Sequence, residues 1–329
     1  MTIRIALLGA GRIGRTHAGT IGGIDDAQLV AVHDPVEAAA EKVVAACGAR
    51  RASEEEICTA ADIDAILIAT PTDRHAACIE AVARSGKAIF CEKPIALDVD
   101  RARACVDVAR EAGTPLMVGF NRRFDPEFAE VRQQIDSGAI GEVEIVQITS
   151  RDPGPPPIDY MTRSGGLFLD MMIHDFDMAR FLLGEEVVEV SATGSVLVDE
   201  RIGAVGDIDT AAATLTTASG RMAVITNSRR ATYGYDQRLE VHGSKGMVSA
   251  GNRRATTVTV AGTEGYRREP LLQFFMQRYR DAYRLEMEAF VRTLATGGRM
   301  SPDGEDGVKA LELAAAAARS TRERRPVHP

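Results

Sequence analysis

The sequence predicts an α/β domain followed by an α+β domain, and three observations lead there. The 329 residues exceed one ordinary hydrophobic core and suit two. Over the first 120 residues short apolar runs alternate with helical patterns, the mark of β-α units and a parallel sheet covered on both faces. After Phe120 the rhythm changes to consecutive Thr- and Val-rich segments, the mark of a large, mainly antiparallel open sheet. The expected domains are 1–120 and 121–329.

In the first domain Ile3–Leu8, Leu29–His33, Ala65–Ala69, Ala88–Cys91 and Leu116–Phe120 read as buried strands. Arg12–Ile21, Pro35–Cys47, Asp73–Ser85 and Asp98–Glu111 carry helical periodicity between them. In the second, a helix over Pro126–Asp136 and a strand over Glu142–Thr149 lead to the Pro/Gly-rich loop Asp152–Pro157. A short helix, His174–Leu183, precedes β-like segments at Val187–Val198, Asp209–Thr217, Arg221–Arg229, Gln237–His242 and Thr256–Ala261. Helices near Tyr279–Thr296 and Gly304–Ser320 close the chain, with Gly297-Gly298 stopping the first.

Composition excludes several partners. A formal net charge of -8 leaves no basic surface for nucleic acid or an anionic membrane. No apolar run approaches the roughly 20 residues of a bilayer span, and no leader precedes the first strand, so a cytoplasmic location is expected. The cysteines Cys47, Cys58, Cys78, Cys91 and Cys105 form no CxxC pair. They read as small buried hydrophobes in a reducing compartment, with no metal expected.

The first strand runs into Gly9-Ala10-Gly11-Arg12-Ile13-Gly14 and then a helix. A GxGxxG at such a junction lets the backbone approach a pyrophosphate, and the helix N-terminus offers N–H groups to its oxygens. Asp34 ends the second strand about 20 residues past Gly14, where an acid bonds the ribose hydroxyls of a dinucleotide. An N-cap role just before Pro35 is the competing explanation for Asp34. Together these signals indicate a Rossmann domain, with NAD as the expected cofactor.

Two further motifs narrow the reading. Ala69-Thr70-Pro71 and Glu92-Lys93-Pro94 end successive strands, and Gly165-Gly166 precedes Asp170 and His174 in a GGxxxDxxxH pattern. This combination resembles the Gfo/Idh/MocA family of NAD(P)-dependent oxidoreductases over essentially the whole chain. The segments Gly119–Asp125 and Ser228–Arg238 are similar, more narrowly, to its inositol-oxidising branch. The resemblance implies NAD-dependent oxidation of a small polyol, myo-inositol foremost, by a homotetramer. Another cyclitol, aminocyclitol or aldose is the alternative substrate, and an idle NAD-binding regulator the alternative class.

The chemistry assigns roles. Oxidising an alcohol requires a base near neutral pKa while hydride leaves the same carbon, and His174 suits that task. Asp170, four residues earlier, shares its face if both are helical, and can orient the imidazole or bind a hydroxyl. Asp177, three residues beyond His174, competes for that place, and Asp175 reads as a cap or a solvated side chain. Lys93 follows a strand, at the carboxyl edge of the sheet, where its ammonium can bond the reacting oxygen. Thr70, Pro71, His75, Glu92 and Lys93 join the glycine loop and Asp34 as expected cofactor contacts, packing being the competing explanation for His75, and the resemblance implies Asn121 as a further one. His17 reads as structural. The family match adds Arg123 near the substrate. Asp152, Tyr160 and Tyr235, together with Lys93, Asp170 and His174, complete the expected hydroxyl-binding set.

Overall fold

The computed structural model describes residues 2–329, which form two units. The first runs to Asn121 and includes Ala282–Leu311; the second holds Arg122–Asp281 and Glu312–Pro329. The expected division at 120/121 accounts for one crossing between units, and the chain crosses again after Asp281 and after Leu311.

In the first unit the order is β1 (Ile3–Leu8), α1 (Arg12–Ile21), β2 (Ala27–His33), α2 (Glu37–Cys47), β3 (Arg50–Arg51) and α3 (Glu54–Thr59). It continues with β4 (Ala65–Ile68), α4 (Thr72–Ser85), β5 (Ala88–Glu92), α5 (Val99–Glu111) and β6 (Leu116–Gly119). The strands form one parallel sheet in the order β3-β2-β1-β4-β5-β6. Every residue of β4 and β5 is buried, as a sheet covered on both faces demands. The order reverses at β1, and a ligand crevice lies at the carboxyl ends of strands around such a switch point. β3 and α3 were not expected from periodicity. The late return of the chain has a packing cause. His17 and Phe90 meet Tyr283 and Phe290 edge-on, each pair with ring centroids 5.5 Å apart, which burial of aromatic surface stabilises.

The second unit opens with a 3₁₀ turn, of which Arg122–Phe124 belong to it, then α6 (Pro126–Asp136), β7 (Val143–Arg151) and α7 (Ile158–Ser164). A π-helical turn, Phe168–Met172, runs into α8 (Ile173–Leu183). Next come β8 (Val187–Ser195), α9 (Glu200–Ala204), β9 (Thr210–Thr217), β10 (Met222–Ser228), β11 (Asp236–Gly243) and β12 (Gly246–Ala250). A hairpin of β13 (Thr259–Gly262) and β14 (Gly265–Arg268) and the short α10 (Phe275–Arg278) precede α11 (Arg280–Thr296) and α12 (Gly304–Glu323). The large sheet has the order β12-β11-β7-β10-β9-β8. All its pairs are antiparallel except β7 with β10, which run parallel from Met222↔Ile145 to Ser228↔Arg151. The cause is connectivity: α7 and α8 intervene after β7, so the chain re-enters the sheet by a crossover rather than a hairpin. The segment near Thr256–Ala261 joins the exposed hairpin, not this sheet. α8 covers one sheet face, and the strands alternate buried and open residues accordingly. Among the described residues no helix is long and apolar enough to cross a membrane, and no group of three or more His, Cys, Asp or Glu residues is placed to hold a metal ion.

Candidate active site

At the end of β1, Gly9 sits at φ +95, and a Cβ there would lie 2.5 Å from the Ala69 carbonyl oxygen. A Cβ on Gly14 would reach 1.9 Å from the Gly9 carbonyl oxygen, so only glycine lets α1 approach β1 this closely. Gly11 has no atom within 4 Å of where its Cβ would be. It is also the N-cap of α1, with no side chain bonding the first turn. An open surface over uncapped N–H groups fits a phosphate. Asp34 Oδ2 accepts the Ala10 N–H at 2.7 Å, and Oδ1 accepts the Val36 N–H at 2.8 Å. The N-cap of α2 is Val36, so Asp34 ties β2 to the glycine loop instead of capping that helix. Its carboxylate keeps lone pairs for a ribose diol. Asn121 is buried, and its Nδ2 has no partner, leaving a donor for an acceptor such as a carboxamide oxygen.

These residues fit a dinucleotide, and Asp34 predicts which one. A carboxylate repels a 2′-phosphate, so kcat/KM with NAD should exceed that with NADP. In Asp34→Ser the gap should narrow. Comparable values for both cofactors in the wild type would remove the basis for this role.

Two of the expected cofactor contacts also have partners inside the protein. Glu92 turns inward: its Oε1 lies 2.7 Å from His17 Nε2, and its Oε2 accepts the Lys93 N–H at 3.3 Å. Burial explains this, since a carboxylate next to the core needs a partner there. His75 is also interior, with Nδ1 2.7 Å from the Pro94 carbonyl oxygen and Nε2 2.8 Å from that of Thr70. Burial pulls its imidazole below the usual range. Its bonds link the strand-end segments that carry Thr70 and Lys93. Lys93 itself is half-buried.

In the second unit the Gly165-Gly166 pair turns the chain from α7 into the π-helical turn, at φ +84 and +83. A Cβ on Gly166 would stand 2.8 Å from Asp207 Oδ1, which instead accepts the Leu167 N–H at 2.9 Å. That turn presents Asp170, and α8 begins immediately before His174. The expected simple helical spacing is therefore replaced by a wider turn. Asp170 Oδ1 accepts the Tyr160 hydroxyl at 2.7 Å, while Arg229 reaches its Oδ2 at 3.4 and 3.5 Å. His174 is half-buried. Asp152 follows β7 and keeps some contact with solvent, yet crowding by protein pushes its carboxyl up to about 6. Arg229 and Arg122 oppose that rise, and Asp170 and Asp175 add to it.

The neighbouring residues sort differently from expectation. Arg123 is held by Asp177 at 2.9 and 2.5 Å and lies over the Phe181 ring, so Asp177 serves that ion pair. Arg122, with Arg229, is an arginine whose charge reaches Asp152. Asp175 is fully buried, bound to Arg122 at 2.5 Å, the Ser150 hydroxyl at 2.6 Å and Asn227 Nδ2 at 2.8 Å. It anchors α8 to β7 and β10 rather than capping or solvating a helix. Tyr235 is buried edge-on against Tyr279, with centroids 6.0 Å apart. Sequence reasoning missed Arg229 and Arg122 as charge partners, because strand pairing, not spacing, brings Arg229 to Asp152.

The chain is similar to known proteins along its length. A profile of the oxidoreductase family with an NAD-binding Rossmann fold matches residues 3–120, and one of the GFO/IDH/MocA C-terminal domain matches 128–249. An inositol 2-dehydrogenase of Rhizobium meliloti is 58% identical over 99% of each chain. A crystal structure of a myo-inositol dehydrogenase from Corynebacterium glutamicum superposes with a TM-score of 0.96 at 44% identity, covering 100% of this chain and 99% of that one. A scyllo-inositol dehydrogenase from Lactobacillus casei, with bound cofactor NAD(H) and scyllo-inositol, gives 0.92 at 31% identity over 100% and 99%. With both halves matched and close relatives spanning its full length, the chain belongs to the GFO/IDH/MocA family of oxidoreductases.

Proposed function

We propose that this chain oxidises an inositol, myo-inositol foremost, to the corresponding ketone, with NAD as the hydride acceptor. The observation that carries the reading is the polar cluster of Asp152, Tyr160, Asp170 and Arg229, in a chain 58% identical to an inositol 2-dehydrogenase. A ring bearing six hydroxyls needs several directed acceptors and donors, which such a cluster supplies. His174 takes the proton of the reacting hydroxyl. Lys93 donates to the same oxygen as negative charge develops there, and Asp170 holds substrate and base in orientation. The glycine loop, Asp34 and Asn121 hold the cofactor, which supplies hydride acceptance when bound.

The Lactobacillus casei structure favours scyllo-inositol as a second substrate. Oxidation at carbon 2 erases the one stereocentre by which it differs from myo-inositol, so both give one ketone. The test is NADH absorbance with each inositol. Strong activity on another cyclitol or an aldose, and none on inositols, would discard the substrate while keeping the reaction.

We also place the protein in the cytoplasm, whose reducing conditions suit five free thiols, and as a homotetramer. On the open sheet face Met222 and Val224 of β10 and Met247 of β12 are exposed, apolar surface that a second copy would cover. Light scattering at micromolar concentration should give the mass of four chains; a monomer mass would refute it.

A further inference from the structure

We infer that Arg229 is a positioning residue for this chemistry: its buried guanidinium orients Asp170 and sets a positive charge beside Asp152, so that both carboxylates accept substrate hydroxyls. The inference rests on the reading of the site proposed above.

The pairing of β7 with β10 creates the juxtaposition. Arg151 is the register partner of Ser228, and the Asp152 N–H donates to the Ser228 carbonyl at 2.9 Å. The next residues in line are Asp152 and Arg229. Arg229 is 1% exposed, so protein rather than water surrounds its charge. Its bonds are loose: 3.4 and 3.5 Å to Asp170 and 3.9 Å to Asp207 Oδ2, with Nε lacking a partner. Arg123, by contrast, grips Asp177 at 2.5 and 2.9 Å. A cation buried at such cost without tight bonds supplies field to several carboxylates more than it glues two elements together.

The groups facing Asp152 are Arg229 from the end of β10, Arg122 from the 3₁₀ turn, Asp170 from the π-helical turn and Asp175 from α8. Crowding already pushes the Asp152 carboxyl up to about 6, and Arg229 is the largest influence against it. Without that charge, Arg122 remains to oppose Asp170 and Asp175, and it is bound to Asp175 at 2.5 Å. Asp152 would then carry a proton near neutral pH and donate where it should accept.

The experiment is the pH profile of kcat/KM for inositol, with NAD affinity measured alongside. In R229Q the acid limb should move up by about one pH unit or more, which lowers kcat/KM below the limb about tenfold per unit and restores it in alkali. NAD affinity should stay unchanged. R229K keeps the charge but loses the planar fork, so its acid limb should stay in place while kcat falls by up to about 10²-fold. An R229Q limb that coincides with the wild type, or wild-type kcat in R229K, overturns the inference. Titration of ¹³C-labelled aspartate, with D152N identifying the resonance, reads Asp152 directly. An unshifted Asp152 in R229Q also overturns it, and if R229Q does not fold, a wild-type kcat in R229K does so. A wild type that oxidises no inositol defeats the reading of the function, and the carboxyl titration still decides the role of Arg229.

Discussion

His174→Ala should lose most turnover, by a factor on the order of 10²–10⁴, while binding NAD as tightly as the wild type. The imidazole is the group in this set whose ordinary pKa lies near neutrality, so it can take the hydroxyl proton and later release it. Nothing in the glycine loop depends on it. Lys93→Ala should lose turnover to a similar degree, because the oxygen that becomes a ketone would lack its cationic donor. Asp170→Asn should also fall, since an amide carries no charge to balance an imidazolium. Turnover and NAD affinity are read separately, by steady-state kinetics and by quenching or calorimetry. Near-normal kcat in His174→Ala would move the base elsewhere.

The second large effect is discrimination. kcat/KM for myo-inositol should exceed that for simple alcohols and 2-hydroxy acids by roughly 10⁴ or more. Asp152 and Asp170 are half-buried beside the buried Arg229, and a substrate lacking matching hydroxyls would forgo the directed bonds these groups can make to it. The penalty falls on the protein's own groups, which is why a missing hydroxyl costs more than a missing methylene. A pyranose such as glucose, with a similar hydroxyl pattern, should be a poor but measurable substrate. Comparable rates with cyclohexanol or lactate would show that these groups do not meet the substrate.

Much of this was legible in the sequence, for identifiable reasons. Long elements such as α1, α6 and β9 follow from periodicity, because one face of each is buried. β3, with two residues, and α3, with six, are too short for a period to register. A capping box of Ser53 and Glu56, with bonds of 3.2 and 2.7 Å, starts α3 and leaves no periodic signal. α7 hides behind Pro155-Pro156-Pro157, and the π-helical turn has the same apolar spacing as an ordinary helix. Glycines at the cofactor loop were readable because their need is steric and local. The inward turn of Glu92, the pairing of Arg123 with Asp177 and the place of Arg229 depend on partners 75, 54 and 59 residues away. Consecutive strands suggested hairpins throughout. The parallel pair that sets Asp152 beside Arg229 follows from the order in which strands enter the sheet, which no local pattern encodes.

The bare N-cap at Gly11 couples the cofactor to the thermodynamics of the first unit. A Ser or Asp there would satisfy the helix end permanently, and typically contributes about 1 kcal/mol. Glycine leaves that satisfaction to a bound phosphate, so the helix is completed only in proportion to ligand occupancy. By mass action a ligand at 100 times its Kd stabilises the folded state by about 2.7 kcal/mol. The resistance of this unit to heat and proteolysis thereby tracks the dinucleotide concentration around it.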